Sequence, residues 1–360
     1  MPALQTVARS TGARNLPVLA NVLLQTKKGR LSLSATNLEV GVIKQVNAEV
    51  LEEGEITVPA RTFLDVVSSL NNAKIELEGS LEQLKISSKN FTASLNGIPA
   101  HEFPSIPLSS DKGVWIDAKT LSQALPEITF AAAADEGRPI LTGILTEIKK
   151  NSLELVATDG FRLAHKSSTI KTDSVGFKAL IPRKTFEEVM RIIVEELGDL
   201  EDEKMEISTS ENQNQMVFKI GQTVVSSRLI EGHFPSWEKI VPDKFITRVV
   251  LERSEAVRAV KLASVFARGD DNIIKIETEK DKLKLSSEAK QLGGQETEVE
   301  ASVEGESVTI AFNSKYLLDA LTSNSASQIS IEFSGNLSPA LIKPVGESGL
   351  EYVVMPIRLS

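Results

Sequence analysis

The stretch Leu153-Glu-Leu-Val-Ala-Thr-Asp-Gly-Phe-Arg-Leu-Ala164 alternates apolar and polar residues up to Asp159-Gly160 and resumes beyond it. Period-two alternation predicts a strand. Asp-Gly between two such runs predicts a tight turn, because Gly adopts positive φ without steric cost and Asp tolerates it. A related stretch lies upstream: in Leu31-Ser-Leu-Ser-Ala-Thr-Asn-Leu-Glu39, Ala35-Thr36-Asn37 stands where Ala157-Thr158-Asp159 stands, 122 residues earlier. The chain therefore reads as repetitive.

Working outward, the first repeat opens on a short helix over residues 4–10, an apolar run Leu16 to Leu24 and strand-like alternation from Leu31 to Val46. Val58-Pro-Ala-Arg-Thr-Phe63 then opens a helix with Pro59 in its first turn and Phe63, Val66, Val67 and Leu70 on one face. Period-two strands follow, closing on Glu102-Phe-Pro-Ser-Ile106. The second repeat begins with a strand at Val114 to Ile116 and a helix carrying Leu121, Leu125, Ile128 and Ala132, which Pro126 should kink or interrupt. Ile181-Pro-Arg-Lys-Thr-Phe186 copies the earlier helix start 123 residues on, with Phe186, Val189, Met190, Ile193, Val194 and Leu197 as its stripe and Gly198 as its stop. Gly232-His-Phe-Pro-Ser-Trp237 closes it. The third repeat opens with Arg248 to Leu251 and a helix with Ala256, Val260, Ala263 and Ala267 on one face. Ala311-Phe-Asn-Ser-Lys-Tyr316 replaces the helix start, and a last strand runs from Tyr352 to Leu359, with Met355-Pro356-Ile357 in the closing position. Each repeat has domain size, giving a tandem of three α+β domains over residues 1–112, 113–243 and 244–360.

At 360 residues, 41% of them apolar, the chain can build several cores. No window approaches the roughly 18 apolar residues of a membrane helix, and Met-Pro-Ala-Leu-Gln lacks the order of a signal peptide, so a cytosolic protein is expected. The absence of cysteine excludes disulfides and thiolate metal sites. A net charge of −9 argues against gripping nucleic acid by bulk electrostatics. No phosphate-binding, dinucleotide, zinc-protease or nucleophile-elbow motif is present. His101 and His233 precede corresponding closures, which favours turn or packing chemistry over catalysis. Asp159 is first a turn former, since Asn37 fills its place in the first repeat; a hydrolase using Asp159 and Arg162 is the rival reading, and it lacks a general base. The Glu residues of 195–206 and 296–306 read as solvated faces. No catalytic residue, metal site or cofactor is expected.

Taken together, Asn15-Leu-Pro-Val-Leu-Ala-Asn-Val-Leu-Leu24, Thr57-Val-Pro-Ala-Arg61, Ala157-Thr-Asp-Gly-Phe-Arg-Leu-Ala164, Ile181-Pro-Arg-Lys184 and Tyr352-Val-Val-Met-Pro-Ile-Arg-Leu359 resemble the bacterial DNA sliding clamps, the beta subunits of DNA polymerase III, over nearly the whole chain. The resemblance implies a non-catalytic processivity factor: a head-to-tail homodimer ring with helices lining the hole, strands outside and duplex DNA threaded through. It answers the charge puzzle, because a ring holds DNA by topology and tight phosphate contacts would brake sliding. Basic residues should still gather along the DNA path. The candidates are Arg9, Arg14, Arg61, Arg183, Lys184, Arg191 and Arg268, with Arg253, Arg258 and Lys261 on the same helix as Arg268.

The resemblance further implies a pocket for short motifs of the replicative polymerase, clamp loader and repair proteins. It would comprise Leu141, Thr158, Gly160, Phe161, Arg162, Leu163, Pro235, Ile240, Val354, Met355, Pro356, Ile357 and Arg358. Phe161 stands where a histidine is common in that family, which turns one wall apolar. For ring closure, Lys74, Lys85, Lys89 and Leu95 would meet Val265, Phe266, Glu298, Glu300 and Glu304, with opposite signs orienting assembly. The first repeat starts almost directly on its helix at Leu4, so it is expected to lack an opening strand, leaving an uncovered sheet edge.

Overall fold

The computed structural model describes residues 1–12, 16–70, 73–109, 113–172, 176–198, 203–210, 214–268, 271–289 and 293–358. In the first repeat α1 (Pro2–Ala8) precedes β1 (Asn21–Lys27), β2 (Arg30–Thr36), β3 (Val40–Asn47) and β4 (Glu55–Pro59), then α2 (Ala60–Ser69), β5 (Glu76–Gly79), β6 (Gln83–Ser88) and β7 (Phe91–Asn96). The second contains β8 (Val114–Asp117), α3 (Ala118–Ala124), β9 (Gly143–Lys149), β10 (Ser152–Thr158), β11 (Arg162–Thr169), β12 (Lys178–Pro182), α4 (Arg183–Leu197), β13 (Lys204–Thr209), β14 (Gln215–Ile220) and β15 (Thr223–Arg228). The third contains β16 (Thr247–Glu252), α5 (Arg253–Ala267), β17 (Ile273–Glu279), β18 (Lys282–Ala289), β19 (Gly293–Glu300), β20 (Ser302–Gly305), β21 (Thr309–Asn313), α6 (Ser314–Thr322), β22 (Gln328–Phe333), β23 (Ala340–Pro344) and β24 (Leu350–Val354).

Several boundaries differ from the sequence reading for local reasons. Pro59 and Pro182 end strands rather than open helices, and both strands lie at sheet edges, where a residue without an N–H leaves no ladder bond unmade. Asn313 takes the same place in the third repeat and caps α6, its side chain accepting from Lys315 N. Pro126 acts as expected: α3 stops at Ala124, and the chain resumes as a 3-10 turn at Thr129–Ala131. The last strand ends at Val354, with Ile357 making a separate bridge to Ala311. On α4 the buried stripe is Phe186, Val189, Ile192, Ile193 and Leu197, while Val194 is exposed.

The folded chain forms two compact units that cut across the repeats, one chiefly of residues 1–119 and 184–229, the other chiefly of 120–171 and 230–360. The first unit holds an eight-stranded sheet in the order β4-β1-β2-β3-β15-β14-β13-β8 and a three-stranded sheet β5-β6-β7. The second holds a nine-stranded sheet, β12-β9-β10-β11-β24-β23-β22-β16-β20, and a four-stranded sheet, β19-β18-β17-β21. In each large sheet the strand that closes the first three-stranded meander of one repeat, β3 or β11, pairs with the last strand of the next. Gly41 faces Ser226 at the β3·β15 seam, and Leu163 faces Val353 at the β11·β24 seam.

Helices pack on these sheets through the faces their spacing dictates. Phe186 of α4 meets Phe218 edge-on at 5.9 Å in the first unit, both fully buried, a contact worth about 1 kcal/mol beyond the area removed from water. By contrast α2 buries only Ala60 and Phe63, and Val66, Val67 and Leu70 stay half-buried. In the three-stranded sheet β5 pairs only with β6 among the described residues, whereas its counterpart β13 lies between β14 and β8. An amide without a neighbouring strand has no ladder bond to break before it exchanges. Amide exchange should therefore be at least roughly tenfold faster along Glu76–Gly79 than along Lys204–Thr209. Equal protection in mass-spectrometric exchange would contradict the open edge.

Candidate functional site

The Asp159-Gly160 turn is built by its own side chains. Thr158 Oγ1 donates to the Arg162 carbonyl at 2.6 Å and accepts from Gly160 N, while Asp159 Oδ1 accepts from Phe161 N and Arg162 N. Gly160 sits at φ +92, the left-handed region that an L side chain resists. Asp159 thus has a structural occupation, which removes the hydrolase reading.

Strand alternation divides the predicted pocket residues between two faces. Leu163 joins Leu145, Val156, Leu180, Leu341 and Val353 in a buried apolar floor. Ile140, Ile230, Phe234, Trp237, Ile240 and Val241 pack on this floor while staying partly exposed. Leu141 and Thr158 are buried, Pro235 is exposed beside Phe234, and Met355, Pro356 and Ile357 are half-buried with Arg358 exposed after them. Met355 N donates to the Phe161 carbonyl at 2.9 Å, tying the tail to the turn. Leu163 and Ile240 were expected here, whereas Val353, Trp237 and the other residues of the floor were not, and alternation along β24 puts Val353, not Val354, on the Leu163 side.

Arg162 and Val354 face each other in the β11·β24 register and lie on the opposite face from the floor, a correction to their expected place. There the Arg162 guanidinium lies between the rings of Tyr316 and Phe130, 4.7 and 5.2 Å from their centroids. It bonds Asp159 at 3.0 Å, Asp319 at 2.5 Å and the Phe130 carbonyl at 2.7 Å. Burying so much of a cation is tolerable only because charged and polar partners surround it. Phe161, 54% exposed, stacks on the Tyr316 ring at 6.3 Å and so carries the aromatic column out to solvent.

Farther along β10 and β11 the same sheet face turns polar. His165, the histidine that sequence reading left without a role, sits between Glu154 and Glu351, with the Trp237 ring 4.4 Å away. A cavity of about 470 Å³, lined in part by His165, Arg248, Lys343 and Glu351, lies beside it and does not include the apolar floor.

The basic candidates are placed unevenly. Arg9 lies 2.8 Å from Glu188 and 2.7 Å from Glu195, and Thr6 also donates to Glu195. Burial alone would raise the Glu195 carboxyl, but the hydrogen bonds from Arg9 and Thr6 outweigh it and hold it below its ordinary value. These bonds fasten α1 to α4, and Arg9 and Glu195 both remain exposed while engaged with each other. Glu196 is likewise engaged, by Lys44 at 2.9 Å and by Thr223. Arg253, half-buried, donates to the carbonyls of Ala326 and Leu321 at the end of α6. Arg191 pairs with Glu188 and Arg258 with Glu255, but both stay more than half exposed. Arg61, Lys261 and Arg268 are exposed with no ion-pair partner among the described residues, Lys184 is exposed and Arg183 half-buried. Arg14 lies outside the described residues.

Of the expected interface residues, Lys85 pairs with Glu78 at 3.1 Å, Lys74 approaches Glu49 at 3.7 Å, and Lys89 is exposed. Leu95 on β7 is half-buried. Glu298 and Glu300 lie on β19, Glu298 held by Lys282 at 2.6 Å. Glu304 is on β20, opposite Arg248 in the nine-stranded sheet, so the acidic run divides between two sheets. Val265 is 49% exposed and Phe266 half-buried, and Leu262, overlooked in the sequence, is 50% exposed on the same helix.

Three repeats that share sheets around a buried apolar floor define a tandem-repeat α+β scaffold. The DNA polymerase III beta subunit N-terminal, central and C-terminal domain families match residues 1–107, 115–236 and 238–358. The beta sliding clamp of Synechococcus elongatus is 32% identical over 366 residues, covering 99% of this chain and 96% of that protein. The crystal structure of DNA polymerase III subunit beta from Pseudomonas aeruginosa superposes with a TM-score of 0.92 at 30% identity, covering 99% of this chain and 97% of that one. The beta subunit from Thermotoga maritima gives 0.89 at 30% identity, covering 100% and 97%. The chain belongs to the DNA polymerase III beta subunit family, the sliding clamps, which are non-catalytic processivity subunits of the polymerase.

The Arg162 network makes a direct prediction. Arg162→Ala leaves Asp159 and Asp319 without their shared cation and should cost about 3 kcal/mol in urea unfolding. Arg162→Lys should recover less than half, since an ammonium cannot reach all three acceptors in the plane of the fork. A loss under roughly 1 kcal/mol for the alanine variant would mean that water replaces the guanidinium freely.

Proposed function

We propose that two copies of this chain close head to tail into a ring around duplex DNA, and that the floor beside the Asp159-Gly160 turn takes short apolar motifs of a polymerase, clamp loader or repair protein. One observation carries the ring. Wherever a following repeat exists, the strand that closes a repeat's first three-stranded meander pairs with the last strand of the next repeat, at β3·β15 and β11·β24. By that rule β19 calls for a partner like β7, and both have open outer edges among the described residues. Two chains satisfy both edges twice, a heterologous contact that closes by rotation. Side chains agree: α5 exposes Leu262 and Val265, while α2 leaves Val66, Val67 and Leu70 half-buried. Lys85 and Lys89 on one side and Glu298 and Glu300 on the other favour this pairing over like against like. The domain limits are 1–112, 113–243 and 244–360, and the working compartment is the cytoplasm.

Leu262→Glu combined with Val265→Glu should halve the light-scattering mass, from twice the 39.1 kDa of one chain to that of one. A mass that stays at two chains would place the interface elsewhere. Cutting the chain after Val354 should abolish binding of a fluorescein-labelled nonapeptide carrying an adjacent Leu-Phe pair while leaving the two-chain mass. Undiminished peptide affinity in that truncated dimer would refute the pocket.

DNA contact in this reading is electrostatic and independent of sequence, made by Arg14, Arg61, Arg183, Lys184, Arg191 and Arg268. The protein should be retained on nicked circular DNA and lost on linearisation. Replacing Arg14, Arg183 and Lys184 by Ala should lower the salt slope of direct binding by about 0.9 for each phosphate contact removed. A wild-type slope in the triple variant would show that these residues do not meet the phosphates.

A further inference from the structure

Across six adjacent strands of the nine-stranded sheet, side chains on one face alternate in sign: Glu154 on β10, His165 on β11, Glu351 on β24, Lys343 on β23, Glu332 on β22 and Arg248 on β16. His165 Nε2 lies 2.8 Å from Glu154 and Nδ1 2.9 Å from Glu351, while Lys343 and Arg248 approach Glu332 at 3.4 and 3.8 Å. The row crosses the β11·β24 seam at His165, the one member whose charge changes near neutral pH. A neutral imidazole has a single N–H, so one nitrogen lone pair would face a carboxylate; with oxygens at both nitrogens, the ring is complete only as the cation. Ser167 Oγ donates to the other oxygen of Glu154, leaving Oε2 to the imidazole. Glu347 lines the adjoining cavity and adds negative charge on the same side.

The uncharged side of the ring is what joins this row to the pocket. Trp237 lies 4.4 Å from the imidazole at 38° and also packs on the apolar floor with Ile240. Glu238 and Lys239, its neighbours in the same 3-10 turn, are exposed. A cation against an indole face adds attraction that the neutral ring lacks.

We propose that His165 is a positioning residue of the peptide pocket: its imidazolium clasps Glu154 and Glu351 across the β11·β24 seam and seats Trp237 on the floor, so that capture of apolar peptides weakens as the proton leaves. The proposal rests on the peptide-pocket reading above. Without the proton, one carboxylate loses its donor, two acids face each other across the strands, and Trp237 loses its cation. Burial lowers the His165 pKa, but the hydrogen bonds to Glu351 and Glu154 outweigh burial and lift it above the ordinary value. A raised folded-state value means that the stabilisation is whole below about pH 6.5 and is lost as pH climbs through the raised value.

The test uses the full-length protein and an acetylated, fluorescein-labelled nonapeptide with an adjacent Leu-Phe pair and no histidine, titrated by anisotropy from about pH 5.5 to 9 with the dye response corrected. Wild-type affinity should fall on the order of tenfold across the transition, the scale of one charge-assisted hydrogen bond. His165→Gln should bind at the weak level throughout, with no transition. Glu351→Gln should move the midpoint to lower pH, because one bond raising the imidazole pKa is weakened, a displacement that a merely structural histidine would not produce. In a Trp115→Phe background the remaining indole, Trp237, should change emission at the same midpoint. Peptide binding that is intact but level across this range overturns the proposal and leaves the pocket standing. An absence of binding at every pH overturns both. Should His165→Gln fail to fold, the Glu351→Gln midpoint decides, and an unmoved midpoint counts against the clasp.

Discussion

Backbone pairing across repeat boundaries is the constraint on which the rest depends. A strand left at an edge exposes a row of N–H and C=O groups, and each large sheet removes that exposure by borrowing the neighbouring repeat's last strand. The compact units therefore cut across the sequence repeats. The second repeat is shared between two compact bodies, its first strand, α4 and last three strands in one, its middle strands in the other. The apolar floor exists because Leu163 and Val353 are brought face to face by the seam itself. Its location follows from topology rather than from any local motif.

Charge is used in two ways. Inside the fold acids and bases are consumed in pairs that span elements: Arg9 with Glu188 and Glu195, Lys44 with Glu196, Lys166 with Glu127, Arg162 with Asp159 and Asp319. What remains exposed on the helices is a thinner set of cations on an acidic chain. That balance suits a protein that must stay near a polyanion without settling on it, since each phosphate contact that releases counterions also raises the cost of moving on.

Much of this was legible in the sequence and some was not, for a consistent reason. The turn after Thr158, the recurring helix starts and the effect of Pro126 all follow from short spacings. Failures came where meaning depended on residues far apart. The partner of the exposed Glu195 could not be read because Arg9 lies 186 residues away, and His165 looked idle because Glu351 is equally remote. The swap of Val354 for Val353 had a signal, since strand alternation was readable, but choosing the correct face needed the register against β11.

At the first seam Gly41 stands where Leu163 stands at the second, and Ser226 replaces Val353. A methyl carbon added at Gly41 would come within 2.7 Å of Ile106 Cγ2, so the chain's own Pro104-Ser105-Ile106-Pro107 segment lies where an apolar anchor would rest. The groove left beside it is lined by polar Gln215, Ser226 and Arg228 together with Leu38 and Ile106. In the proposed reading, among the described residues, the seam berth at Leu163 and Val353 is then used once per chain, hence twice per proposed ring. With two berths on one tether, an incoming client can be held at high local concentration while another still works, and replacement becomes a contest of residence times rather than a search through solution.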